Sequence, residues 1–374
     1  MSKSEKFIIR EYHENDEEQI VPLLEQVFPG WPGFDLTCST IDHWKWKNLD
    51  TPLGEAPIIV AEKDGQIIGV DHGSFLCVKI GDEVCLCEHS TDLATHQDFR
   101  GMGVFTRINR MKQEKIHEYN TCIAYGTSEN PIVVKHDSKH NKHPFPKPCK
   151  YLFKIDNIDE FIKNREKIRS KLPRVVIKYL IYLAKIQNKI ARAIIFSHRS
   201  TSNNNEIRKI HRFDERINVF WDNIKDSYNF IVEKNKDYLN WRYCDPRGGN
   251  YTVLQAESQG QILGYIVLRI NKVKPEYPVG YIIEVIALRD RNDVVEELVS
   301  SAVDYFYERN INVVQAMIIQ GNIYERLLFR HGFLDTRRKS FISYRIHKQN
   351  LSFNKFTNAL SNSINYQYGE YDSI

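Results

Sequence analysis

The segment Leu93 to Thr106, LATHQDFRGMGVFT, concentrates the chemistry that residue types and spacing in this chain could support. An extended run ends there, Arg100, Gly101, Met102 and Gly103 form a turn, and the helical spacing of Val104, Ile108 and Met111 starts a helix at about Val104. Glycines in such a turn let the chain approach a guest closely and let consecutive N–H groups converge on it. The helix N-terminus adds partial positive charge, so the place suits a pyrophosphate or a similar anion. On the tetrapeptide alone, a plain strand-to-helix turn remains the alternative. No spacing supports a serine or cysteine nucleophile with its histidine and acid. His136, His140 and His143 could be read as metal ligands, but Lys135, Lys139 and Lys142 interleave them and Pro144, Pro146 and Pro148 follow. Cationic neighbours oppose a cation and prolines mark a loop, so no metal is expected.

The elements that must carry this turn occur twice. Ala61 to Val70, AEKDGQIIGV, aligns with Ala256 to Tyr265, AESQGQILGY, and at the same offset of 195 residues Asp42, Trp46 and Lys47 align with Asp237, Trp241 and Arg242. Two regions sharing one ungapped offset argue for duplication. Each copy reads as strand, tight turn and strand, with Asp64-Gly65 and Gln259-Gly260 at the turns. A further strand, a helix and another strand follow, over Val84 to Ala94, VFTRINRMKQEKIHEY and TCIAYG in the first copy, and Gly280 to Leu288, VVEELVSSAVDYFYERN and INVVQAMII in the second. That order predicts an α+β sandwich of two domains, each a mixed, mostly antiparallel sheet flanked by helices. The expected boundaries are 1–155, a basic helical connector at 156–212, a second domain at 213–346 and a mobile C-terminal tail at 347–374.

Leu93, Ala94, His96, Phe99, Arg100, Gly101 and Gly103, in this hairpin–strand–loop–helix setting, resemble motif A of the GNAT superfamily of acyl-coenzyme A N-acyltransferases. The resemblance extends over both copies, so the chain looks like a tandem GNAT protein with a degenerate second copy. It implies that backbone amides of Arg100, Gly101, Met102, Gly103, Val104 and Phe105, with the hydroxyl of Thr106, hold the coenzyme pyrophosphate. It also implies that Leu93, Ala94 and Thr95 pair with the pantetheine arm, and that Asn130 hydrogen-bonds it. Acetyl-coenzyme A, or another acyl-coenzyme A, is the implied co-substrate. Phe105 departs from the family's usual small residue. In the second copy ALRDRNDVVEEL replaces the glycine loop, and Asp290 and Asp293 at the helix start would repel phosphates. That copy keeps the family's last element, Asn322 to Phe333, with Phe329 where a tyrosine is usual; the first copy lacks the element.

Acyl transfer to an alkylamine of pKa about 10 needs a group that takes a proton. The family's logic places that base on the strand before the loop, which offers Glu88, His89 and Asp92. Alternation puts Glu88 and Asp92 on one face and His89 on the other, and Glu88 is the first choice. An amide near Ala94 would stabilise the oxyanion, and Tyr125 on the next strand is the candidate acid for the departing thiolate.

Composition sets the frame. The 374 residues are 42% hydrophobic and 27% charged, which excludes a wholly disordered chain, and a net charge of +4 gives no global argument for nucleic acid or membrane. Seven cysteines without a C-x-x-C pair fit a reducing compartment, and no apolar run approaches the roughly 18 residues that span a bilayer, so a cytoplasmic location is expected. Residues 163–199 carry one acid, Glu166, among many lysines and arginines, with an apolar stripe from Val175. This connector could touch a membrane surface or a partner, and no specific nucleic acid is expected. The readings in competition are an N-acyltransferase acting on a small-molecule primary amine, an aminoacyl-tRNA-dependent transferase of GNAT-like fold, and a non-catalytic coenzyme-binding scaffold.

Overall fold

The computed structural model describes residues 7–128, 142–164, 205–348 and 353–370. The first half runs β1 (Ile8–Glu11), α1 (Glu17–Val27), α2 (Thr40–Asn48), β2 (Ile59–Lys63), β3 (Gln66–Ile80), β4 (Glu83–Thr95), α3 (Val104–Glu118) and β5 (Ile123–Ser128). Next come β6 (His143–Pro144), β7 (Cys149–Ile155) and α4 (Ile158–Lys163). The second half runs β8 (Glu206–Ile210), α5 (Arg216–Ile224), β9 (Phe230–Val232), α6 (Lys236–Cys244), β10 (Tyr251–Ser258), β11 (Gln261–Asn271), β12 (Val279–Ala287), α7 (Asn292–Glu308), β13 (Val313–Ile319), α8 (Ile323–Arg330) and β14 (Leu334–Ile346), with α9 (Phe353–Thr357) near the end.

The repeated hairpins are β2–β3 and β10–β11. Both turn residues take positive φ in each, 52° and 80° at Asp64-Gly65 and 51° and 79° at Gln259-Gly260, the twist that a two-residue hairpin demands. Helices α2 and α6, which contain the repeated tryptophans, start on matching caps: Ser39 accepts from the Asp42 N–H and Asn235 from the Tyr238 N–H.

One sheet path crosses the molecule in the order β1-β2-β3-β4-β5-β14-β7-β13-β12-β11-β10-β8. Along it β4–β5 and β12–β13 are the parallel pairs and the other pairs are antiparallel, so the expected mixed α+β architecture is present in both halves. Helix α3 covers one face of the first half through Val104 and Ile108 against Ile59 and Ile68. Helices α1 and α2 cover the other through Leu24 and Trp44 against Val60, Val70 and Ala94. The largest core lies between the halves and includes Tyr125, Phe230, Tyr265, Ile283 and Tyr366. No helix among the described residues is long and apolar enough to cross a membrane.

The halves exchange strands, which corrects the expected boundaries. β14, from the second half, pairs with β5 through Phe341 to Ile346, and β7, assigned by sequence to the first domain, pairs with β13 along its whole length. β8 lies inside the expected connector yet forms the edge of the second half-sheet. Of that connector, 165–204 lies outside the described residues. The tail expected to be mobile is instead packed: Phe356, Ile364, Tyr366 and Tyr368 are buried in the central core, because four large apolar or aromatic groups within thirteen residues have more to gain there than in water.

A candidate active site between the two halves

The glycine loop is shaped as an anion cradle. Gly101 and Gly103 have φ of 82° and 80°, Gly103 is the N-cap of α3, and no side chain caps that helix. Among the described residues, nothing lies within 4 Å of where a Cβ would stand on either glycine. The loop is exposed from Arg100 to Gly103, with Val104 buried against the sheet, Phe105 half-buried and Thr106 exposed. Its first-turn amides therefore meet solvent on a helix of 15 residues, which fits a pyrophosphate. In the second half Arg291 and Asp293 occupy this position and bind each other at 2.7 Å, with no glycine pair.

Beside the loop the sheet opens. β4 and β5 pair only at Glu88 with Ala124 and at His89 with Tyr125, although β4 continues to Thr95 and β5 to Ser128. A bulge drives the divergence: on β3, Val70 faces Ala94 and His72 faces Thr91, so Asp92 and Leu93 share one partner position, and Asp92 takes a φ of 36°. Leu93, Ala94 and Thr95 thus line a strand edge that is unpaired among the described residues and leads to the loop. Asn130 lies outside the described residues, as do His136 and His140; His143 is exposed on β6.

The bulge also sorts the proton-transfer candidates. Glu88 is fully buried on the α3 side, bound to Lys112 at 2.9 Å, and Lys112 binds Asp71 at 2.6 Å. Ser90 donates to the second Glu88 oxygen, and a Cβ on Gly73 would stand 2.2 Å from Glu88. Glu88 is therefore a structural ion-pair member and not, as its strand position led us to expect, a base at the site. Burial tends to lower the Lys112 pKa, but Asp71 and Glu88 more than offset this and raise it. Asp92 does not share the face of Glu88, because the bulge turns it back toward α2. There it accepts from Lys47 at 2.7 Å and from the Trp31 indole at 3.2 Å.

His89 and Thr91 face the other way, into a pocket between the halves whose walls include Trp46, Lys47, Tyr238, Trp241, Arg242, Gly369 and Glu370. The repeated helices form it by a pseudo-twofold clasp. Trp46 and Trp241 stack at 4.9 Å, and each indole N–H donates to the other's carbonyl at 3.2 Å, across 195 residues. Tyr125 stacks on His89 at 4.9 Å; it is fully buried, its hydroxyl has no hydrogen-bond partner among the described residues, and burial raises its pKa well above the ordinary tyrosine value. A phenol so placed stays protonated and can serve as an acid.

The C-terminal segment passes through the matching cleft of the second half. β12 and β13 pair from Val279 to Ile282 and then diverge, and there the Gln367 carboxamide accepts from the Val285 N–H at 3.1 Å and donates to its carbonyl at 2.9 Å. Beyond it, Glu370 reaches Lys234 at 2.6 Å, and Lys234 reaches Glu284 at 2.8 Å, all three buried. Burial raises the Glu370 pKa. Sequence reasoning missed Trp46, Tyr238, Trp241, Arg242, Gly369 and Glu370 as site residues. The shared offset of Trp46 and Trp241 was the available signal, and it served there only to detect the duplication.

Residues 8–133 match the model of the family described as acetyltransferase (GNAT) domain. The match to a GNAT domain thus lies in the first half, and the chain as a whole shares its fold with solved N-acyltransferase structures. Among solved structures, a GCN5-related N-acetyltransferase from Anabaena variabilis aligns with TM-score 0.59 at 10% identity over 92% of this chain and 73% of that one. Saccharomyces cerevisiae N-myristoyltransferase with bound myristoyl-CoA aligns with TM-score 0.61 at 12% identity over 92% and 82%. A tandem GNAT protein from the clavulanic acid biosynthesis pathway aligns with TM-score 0.55 at 11% identity over 92% of this chain and all of that one. No curated protein matches the sequence significantly.

Proposed function

We propose that the protein transfers an acyl group, acetyl in the simplest case, from acyl-coenzyme A to a primary amine. The observation that carries this reading is the continuity of three features: the uncapped, glycine-lined start of α3, the opened edge of β4 after its bulge, and the pocket reached by His89 and Thr91. Arg100 to Thr106 would cradle the pyrophosphate, and Leu93 to Thr95 would present strand N–H and C=O groups to the pantetheine. The thioester would then lie where β4 and β5 part.

In this arrangement the amine enters from the interdomain pocket and its nitrogen attacks the thioester carbonyl. His89 takes the proton lost by the nitrogen, a strand amide near Ala94 stabilises the oxyanion, and the C–S bond breaks as the amide forms. The thiolate receives a proton from Tyr125, which burial holds in the protonated state. The parallel stack of His89 and Tyr125 keeps base and acid adjacent. A soluble-substrate location in the cytoplasm fits this chemistry.

Calorimetric titration of acetyl-coenzyme A and free coenzyme A into the wild type and into a Gly101→Glu, Gly103→Glu variant tests the reading. Micromolar binding by the wild type and its loss in the variant is expected. Absence of binding to folded wild type would overturn the acyltransferase reading.

A further inference from the structure

The pocket has an unbalanced wall. By the repeat, Lys47 and Arg242 stand at matching places on α2 and α6, and both line the pocket. Lys47 is neutralised by Asp92 at 2.7 Å. The second half has no such acid, because the place of the Asp92–Leu93 bulge is taken by Val285 alone, between the pairs Tyr265–Ile286 and Val267–Glu284. Arg242 accordingly donates to the Gly369 carbonyl at 3.1 Å and the Tyr251 hydroxyl at 3.1 Å, and no carboxylate pairs with it among the described residues.

A second guanidinium stands behind it. Arg269 is buried, lies 3.5 Å from the centre of the Phe34 ring, and donates to the same Tyr251 hydroxyl at 3.3 Å and to the Asp35 carbonyl at 3.3 Å. Among the described residues its Nε has no hydrogen-bond partner, and it too has no carboxylate. Gly249 makes room for it: a Cβ there would stand 2.6 Å from the guanidinium. Two cations sharing one phenol oxygen lower the Tyr251 pKa against the upward pull of burial. Glu370, an acid that lines the pocket, is already held by Lys234.

Resting on the acyltransferase reading above, we propose that the amine acceptor carries a carboxylate, bound by Arg242, whose guanidinium the Tyr251 hydroxyl and the Gly369 carbonyl hold in place. Arg242 is half-buried with no carboxylate beside it among the described residues, and an anion on the acceptor would supply the missing charge. A carboxylate suits what is left of Arg242: Nε and one Nη1 N–H are already used, and the remaining N–H groups on Nη1 and Nη2 can fork onto one carboxylate. The aromatic rings of Trp241 and Tyr238 would flank the acceptor's carbon skeleton.

The test measures thiol release from acetyl-coenzyme A with L-phenylalanine, L-lysine, β-alanine and 5-aminovalerate, each against its carboxamide, which keeps the amine and removes the charge. For the members turned over, kcat/KM is expected to favour the carboxylate by about 10- to 150-fold, the range for a hydrogen bond to a charged group. In Arg242→Gln the ratio should fall to near unity, while Arg242→Lys, which keeps the charge, retains part of it and controls for folding. Equal rates within pairs, or a preference for carboxylates that survives undiminished in Arg242→Gln, overturns the carboxylate proposal and leaves the acyltransferase reading intact. Coenzyme binding without turnover of any amine defeats both, and calorimetry on the same preparation tells that outcome from a loss of coenzyme binding.

Discussion

Replacing Lys112 by methionine puts the assignment of Glu88 to the test. Asp71, Glu88 and Lys112 carry two negative charges and one positive charge in a space closed to water, with Lys112 also donating to the His72 carbonyl at 2.5 Å. Lys112→Met leaves both carboxylates buried without their cation, and breaking such a group from that side costs about 3–5 kcal/mol. Glu88→Gln acts in the opposite sense: it removes the surplus negative charge, leaves Lys112 paired with Asp71, and should cost under about 1.5 kcal/mol. Urea unfolding followed by tryptophan fluorescence reads both differences from the midpoints at constant slope. The raised Lys112 pKa sets a second signature. Its stabilisation is fully present below the unfolded value of about 10.4 and is lost as pH climbs through the higher folded value, so wild type should weaken above pH ~10.5 by a component that Lys112→Met lacks. Equal losses in the two variants would refute the charge count. So would a fall in turnover of roughly a thousandfold for a stable Glu88→Gln, which would restore Glu88 as the base.

Tyr125→Phe should leave stability unchanged or slightly higher, since it deletes a buried hydroxyl with no partner, while lowering kcat by roughly a hundredfold if the phenol protonates the thiolate; thermal melts and steady-state rates separate the two effects. Gln367→Leu strips both hydrogen bonds from the buried Val285 backbone and should destabilise by about 2–4 kcal/mol in urea titrations. His72 is fully buried with its pKa lowered to about 4 by burial, so it folds in the neutral form, and stability should fall as pH drops from about 6.5 toward 4. His72→Asn should flatten that part of the curve of unfolding free energy against pH.

The sequence made the local units legible because their determinants are local. The Asp64-Gly65 and Gln259-Gly260 turns, the helix starting at Val104 and the glycine loop each depend on a few neighbouring residues. The sorting of Glu88, His89 and Asp92 was read by strict alternation, which holds for Glu88 and His89 and fails at Asp92 because one extra residue in β4 resets the pleat. Nothing in LATHQDF announces that bulge; it is set by how β3 registers against β4. The fate of the tail was hidden for another reason. The segment Ile364 to Glu370 reads as polar, yet the partners of Gln367, Glu370 and Asn365, namely the Val285 backbone, Lys234 and the Phe230 carbonyl, lie far back in the chain. Arg242 was visible only as a repeat match, since its meaning depends on the acid its copy lacks.

The exchange of β14 and β7 has a consequence for how the chain comes off the ribosome. The open edge of β5 is finished at Ser128, but the strand that closes it begins at Leu334. At ordinary synthesis rates the first half waits on the order of 10–40 s with an unpaired edge exposed. That interval favours capture by chaperones or a sister chain over independent folding. Neither half thus completes its own sheet: each takes its closing strand from the other.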